Sequence, residues 1–139
     1  MKFNSYKRSG VILHPTALPG SFGIGEIGKD AYRFVDHLSD MGQSLWQILP
    51  IGPADFHNSP YSSSSTFAGN HLLISLELLA EDGLLDSSVL DECRVPNSDT
   101  VDFKNVIRTK MPILKQVSEN FKKNASSDMK IALEDFSAK

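Results

Sequence analysis

The sequence has 139 residues, 40% hydrophobic, 22% charged and 9% aromatic, with a formal net charge of −3. That is enough chain for one ordinary domain, and the apolar content with low net charge excludes a disordered one. The mildly acidic balance without a Lys/Arg cluster argues against nucleic acid as a partner, no apolar run reaches the roughly 18 residues of a membrane span, and the single Cys93 excludes an internal disulfide framework.

In chain order, Gly10-Val11-Ile12-Leu13-His14 is a short apolar run halted by Pro15, which reads as a fully buried strand of the parallel type. Pro19 to Gly28, with Gly20, Gly23, Gly25 and Gly28, is too rich in glycine for a regular element and reads as a shaped loop. Ala31, Phe34, Val35, Leu38 and Met41 then form the stripe of an amphipathic helix, and Gly42 stands where a glycine ends it. Leu45-Trp46-Gln47-Ile48-Leu49-Pro50 is the second strand, closed by Gly52-Pro53. Strand, loop, helix and strand make a βαβ unit.

A long polar segment runs from Ala54 to Asn70. Its four-serine run resembles a linker, but Phe56, Tyr61 and Phe67 favour an ordered functional loop. Ser75 is placed to cap a helix that Gly83 stops, and a short helix is expected over 86–92. Phe103, Val106, Ile107, Leu114, Val117 and Phe121 mark a long helix, with a kink or restart expected at Pro112. A last helix starts near Ser127, with Met129, Ile131, Leu133 and Phe136 apolar. Residues 1–70 hold 13 of the 16 Gly and Pro and every Tyr and Trp, so they read as the part that builds a site; residues 71–139 read as helical scaffold.

Candidate chemistry gathers in the first half. His14 follows the first strand, where α/β folds present ligand-binding residues, or else it braces the backbone there. Gly23-Ile24-Gly25-Glu26-Ile27-Gly28 matches the dinucleotide-binding pattern literally. It stands too far from the preceding strand, and no acidic residue ends the second strand to hold a ribose. His37, His57, His71 and Cys93 show no spacing for a metal. Ser59-Pro60-Tyr61 is the best binding candidate, because an aromatic face among hydroxyls matches the C–H patches and hydroxyl edges of sugars. The competing reading is that Tyr61 only packs the base of its loop. No facing pair of carboxylates for glycoside chemistry is visible.

Several motifs in order carry a resemblance. Arg8-Ser9-Gly10-Val11-Ile12-Leu13-His14-Pro15-Thr16-Ala17-Leu18-Pro19-Gly20 and Phe22-Gly23-Ile24-Gly25-Glu26-Ile27-Gly28 come first. Leu45-Trp46-Gln47-Ile48-Leu49-Pro50-Ile51-Gly52-Pro53, Asn58-Ser59-Pro60-Tyr61-Ser62-Ser63 and Phe67-Ala68-Gly69-Asn70 follow. Together with 73–79 they resemble the start of the 4-α-glucanotransferases, also called amylomaltases or disproportionating enzymes. The resemblance is strong over residues 8–86 and weaker beyond.

It implies an α/β fold: the first two strands and following helices of a (β/α)₈ (TIM) barrel of the α-amylase clan, with an inserted helical subdomain. Residues 1–70 would begin the barrel and 71–139 would belong to the helical insertion. The implied reaction is transfer of a 4-α-glucan segment to another glucan or to glucose by a retaining double displacement. Maltooligosaccharides and α-1,4-glucans are the implied partners, with no nucleic acid and no membrane, and no metal or organic cofactor is implied. Carried over by motif, Tyr61 matches the family's active-site tyrosine, and Ser59 lies beside it. Phe56 stands where some relatives bind glucan through a tyrosine at a secondary site, and His14 closes the first strand. The loops 14–28 and 52–70 are expected to face the glucan cleft.

The family's catalytic carboxylates lie beyond the matched region, so no catalytic residue is assigned here. The chain is expected to be an N-terminal fragment without activity of its own. Cytoplasmic residence is expected from the single cysteine and from an N-terminus without a secretory core. The alternative is a free-standing carbohydrate-binding module built on Tyr61, Trp46 and Phe56.

Overall fold

The computed structural model describes residues 7–63, 65, 67–96 and 98–138; the N-terminal segment 1–6, on which the signal-peptide argument partly rests, lies outside them. The fold is α/β. Strand β1 (Gly10–Ile12) pairs in parallel with β2 (Leu45–Gln47), in the register Gly10–Leu45, Val11–Trp46 and Ile12–Gln47. Helix α1 (Lys29–Asp40) connects them. The ladder continues past both ends of the strands, with Ser44 N–H donating to the Ser9 carbonyl at 3.0 Å and Leu13 N–H to that of Gln47 at 3.1 Å. The strands are shorter than the apolar runs, and their side chains are not fully buried: Ile12 is 65% exposed, and Leu45, Ile48 and Ile51 are exposed too. A strand of this kind is covered only when other strands and helices flank it, and the described residues supply a two-stranded sheet alone.

The helices follow their sequence signals closely. α1 ends on Gly42, whose φ of 71° is the left-handed conformation that favours glycine after a helix. α2 (Leu76–Glu81) is capped by Ser75, whose hydroxyl accepts from Leu78 N–H at 3.4 Å. α3 (Ser87–Cys93) is capped by Asp86, which accepts from the Ser88 amide and hydroxyl; these bonds hold its carboxyl below the ordinary aspartate value. α4 (Phe103–Asn124) is capped by Asp102, and α5 (Ser127–Ser137) by Ser126.

Two expectations for α4 change. The helix does not restart at Pro112 but runs through it as one element. Val106 on one side and Ile113 and Val117 on the other are all buried, so packing outweighs the roughly 3 kcal/mol that an interior proline costs. The buried stripe is Val106, Lys110, Ile113 and Val117, while Ile107 is exposed and Leu114 half-buried. The helix is turned so that a lysine faces inward.

One core cluster joins Phe22, Leu76, Leu85, Leu90, Ile113 and Val117, and a second joins Ile24, Leu72 and Val106. Phe22 and Ile24 come from the glycine-rich loop. That loop is therefore packed into the helices, and the core draws on both sides of residue 70.

Candidate functional site

The C-terminal ends of the two strands are cross-tied by ring nitrogens. Trp46 Nε1–H donates to the Leu13 carbonyl at 2.8 Å, and its indole meets Phe34 of α1 edge to face at 5.1 Å. His14 Nδ1 lies 2.7 Å from Thr16 Oγ1 and accepts from Thr16 N–H at 3.4 Å, which puts the proton on Nε2, 3.3 Å from the Pro50 carbonyl. Each strand end thus holds the other. Both nitrogens of His14 are engaged by the protein, which favours the bracing reading.

Beyond β2, the described residues of 52–70 form a loop tied together by hydrogen bonds. Ala54 and Ser63 form an antiparallel bridge, and Asp55 N–H donates to the Ser62 carbonyl at 2.8 Å. The Ser59 hydroxyl accepts from Tyr61 N–H at 3.4 Å and its carbonyl from Ser62 N–H at 3.0 Å, so Ser59 shapes the turn that presents Tyr61. Asn70 closes the loop. Its Nδ2 donates to the Gly52 carbonyl at 3.3 Å, and its Oδ1 caps the 3₁₀ turn His71–Leu73 by accepting from Leu72 N–H at 3.0 Å. Ser64 and Thr66 of the serine-rich run lie outside the described residues.

The loop borders a cavity of about 950 Å³. Its lining includes Pro50, Ile51 and Gly52 at the strand end, Tyr61 and Phe67 from the loop, and Leu73, Ile74 and Ser75. Tyr61 is 73% exposed, so it does not pack the loop base. Phe56 stands apart, against His57 with ring centroids 3.9 Å apart, beside a separate cavity of about 510 Å³ that Phe103 and Ile107 also line. Tyr61, Trp46 and Phe56 therefore form no common face, and the free-standing carbohydrate-binding module loses its support.

The glycine-rich loop is largely packed into the protein, with residues 16–20, 23 and 24 also lining a separate cavity of about 550 Å³. Leu18, Phe22, Ile24 and Glu26 are buried, and Ile27 is the loop residue bordering the Tyr61 cavity. Its glycines serve close packing. A Cβ on Gly25 would lie 2.1 Å from the Pro15 carbonyl oxygen, and one on Gly28 would lie 2.5 Å from Ser75 Oγ. At Gly25 and Gly28 the backbone is thus packed against protein, which counts against the dinucleotide reading.

Within the core, Lys110 Nζ donates to Glu26 Oε1 and to the Leu72 carbonyl, the latter at 2.7 Å, while Glu26 Oε2 accepts from Leu76 N–H at 3.1 Å. Burial pushes the Glu26 carboxyl above its ordinary value and the Lys110 ammonium below its own, and their mutual attraction offsets only part of this. Sequence reasoning missed Lys110. The only signal was its place in the helical stripe between Val106 and Ile113.

Among the described residues no three His, Cys, Asp or Glu side chains gather to hold a metal, and no helix is long and apolar enough to cross a membrane. Burial raises the Cys93 thiol above its ordinary value.

A parallel βαβ unit whose loops gather at the C-terminal strand ends defines an α/β protein with its candidate site in the loops that follow the strands. The chain belongs to the 4-alpha-glucanotransferase family, whose model matches residues 13–139. It is 48% identical over 116 residues to the 4-alpha-glucanotransferase of Synechocystis sp., covering 84% of this chain and 23% of that protein. It is 39% identical over 137 residues to the chloroplastic/amyloplastic 4-alpha-glucanotransferase of Solanum tuberosum, covering 96% and 23%. The fold superposes with a TM-score of 0.83 on the amylomaltase from Streptococcus agalactiae in complex with acarbose, at 36% identity over 94% of this chain and 26% of that one. The chain spans about a quarter of the length of the relatives it matches.

Proposed function

We propose that this chain builds one side of the glucan cleft of a 4-α-glucanotransferase, an enzyme that moves an α-1,4-glucan segment from one maltooligosaccharide or starch chain to another glucan or to glucose. In this reading β1 and β2 are the first two strands of a (β/α)₈ barrel of the α-amylase clan. Residues 1–70 begin the barrel, and 71–139 belong to an inserted helical subdomain. Retaining transfer needs a nucleophilic and an acid/base carboxylate; both are assigned outside this chain, and no metal or organic cofactor is invoked. The compartment is a reducing one, cytoplasmic by preference.

What this chain contributes is binding and orientation. Tyr61 offers its ring to a glucose unit in the 950 Å³ cavity, and Ser59 sets the turn that carries it. His14 holds the strand-end rim through Pro50. Phe56 offers a separate apolar face beside the second cavity, where stacking is possible without a phenol hydroxyl. The observation that carries the reading is the exposed Tyr61 at a strand-end cavity, on a loop fastened at its base by Asn70 and Gly52.

The test is disproportionation of maltotriose by the complete protein containing these residues. Misplacing a substrate by about 1 Å can cost roughly 100-fold in rate, so Tyr61→Ala is expected to slow transfer strongly. Tyr61→Phe keeps the ring and gives up one hydrogen bond, about 0.5–1.5 kcal/mol. The expected order is wild type, Tyr61→Phe, Tyr61→Ala, with circular dichroism checking that the last is folded. A folded Tyr61→Ala protein with wild-type transfer would show that Tyr61 is not part of the site.

A further inference from the structure

Among the described residues the buried polar side chains are Glu26, Ser75 and Lys110; Glu26 and Lys110 bind the segment 72–76, to which Ser75 belongs. That segment is fastened at three points. Lys110 Nζ binds the Leu72 carbonyl at 2.7 Å, Ile27 N–H donates to the Leu73 carbonyl at 2.9 Å, and Glu26 receives Leu76 N–H at 3.1 Å. The same segment lines the Tyr61 cavity through Leu73, Ile74 and Ser75. Asn70, bonded to Leu72 N–H on one side and to the Gly52 carbonyl on the other, links this wall to the rim that follows β2.

A helix that needed only to fill the core would carry an apolar residue at position 110, since replacing a buried ion pair by apolar groups of similar volume is often neutral or stabilising. A satisfied polar network instead fixes one arrangement of backbone, because each donor and acceptor must be met. Here the network's backbone partners are the Leu72 carbonyl and the Leu76 amide, which bracket the wall.

We propose that Lys110, with Glu26, is a positioning residue of the cleft, holding the 72–76 wall at a fixed distance from Tyr61. The proposal rests on the reading of this cavity as the glucan cleft. Lys110 touches no sugar; it sets the width of the gap that sugar enters. Loosening the wall weakens binding of ground state and transition state alike, which raises KM and leaves kcat nearly unchanged. A merely structural role does the reverse, since fewer folded molecules lower apparent kcat and leave KM alone.

The experiment measures KM and kcat for maltotriose in the complete protein, with Lys110→Met, the double variant Glu26→Gln with Lys110→Met, and Tyr61→Ala. The double variant leaves no unpaired buried charge and so keeps folding intact where the single variant does not. The expected result for the double variant is a KM raised about 10-fold with kcat within about 2-fold, and for Lys110→Met the same rise in KM with an apparent kcat lowered by the unfolded fraction. A folded double variant with wild-type KM, or a loss confined to kcat, overturns the proposal. Tyr61→Ala separates the two readings. If it is folded and without effect, the cleft reading itself fails; if it impairs transfer while the Lys110 variants keep wild-type KM, only the positioning role fails.

Discussion

The strand half and the helical half of this molecule are stabilised in different ways. Helices α2 to α4 close around Leu76, Leu85, Leu90, Ile113 and Val117 with Phe22 inserted among them, and every helix from α2 onward begins on a side-chain cap. The strands, by contrast, expose Ile12, Leu45, Ile48 and Ile51 and are held by polar ties: Trp46 to the Leu13 carbonyl, His14 to that of Pro50, Asn70 to that of Gly52. Dense apolar packing makes one half a rigid support. The other half is tied at its strand ends and displays Tyr61 and Phe67. The glycine-rich loop belongs by sequence to the strand half and by packing to the helical one, and it joins the two.

The contrast is broken most severely at the ion pair. Lys110→Met strips the partner from a buried carboxylate, which costs about 3–5 kcal/mol, measured by urea unfolding of the complete protein containing these residues. The pH dependence follows from Glu26, whose carboxyl burial already pushes above its ordinary 4.5. Without the ammonium it rises further. A group with a raised folded-state pKa contributes stability that is fully present below its unfolded pKa and lost as pH rises through the folded one. The deficit of Lys110→Met is therefore expected to grow as pH rises above the ordinary carboxyl value of 4.5 toward the raised folded-state value. A pH-independent deficit would show that Glu26 is not left charged and unpaired.

Leu76, only 1% exposed at the centre of the helical core, comes next. Leu76→Ala is expected to cost about 2–5 kcal/mol in the same assay. Asn70→Ala removes the cap on Leu72 and the tie to Gly52 and is expected to cost about 1 kcal/mol; proteolysis should then cut the 52–70 loop faster. Ile12→Ala marks the other extreme. Its side chain is largely exposed, so the loss is expected within about 0.5 kcal/mol. A loss of several kcal/mol at Ile12 would mean that the strand half has a core of its own.

The sequence legibility follows the same divide. Ser75, Gly42 and the short helix after Asp86 were readable because caps and helix stops act over three or four residues. Both strands were readable as apolar runs bounded by Gly and Pro, but not their exposure, which depends on what surrounds a sheet. The inward turn of α4 was hidden for a physical reason. A hydrophobic pattern counts lysine as an outward residue, and the carboxylate that reverses this lies 84 residues earlier in the chain. Asn70 was quoted within a motif, yet its two bonds reach Gly52 and Leu72, a closure that spacing does not reveal. Tyr61 was legible as a candidate. Its separation from Phe56 into another cavity required the path of the loop.

In the proposed function the Tyr61 loop and the segment 72–76 together enclose bound glucan, and α4 holds that segment through Lys110. Hydrogen–deuterium exchange of the complete protein, with and without maltotriose, tests it directly. Added ligand is expected to slow exchange over 59–63 and 67–76 and to leave the buried face of α4, already slow, unchanged. Unaltered exchange over both segments at a maltotriose concentration that saturates transfer would contradict the claim, because the glucan would then be binding elsewhere.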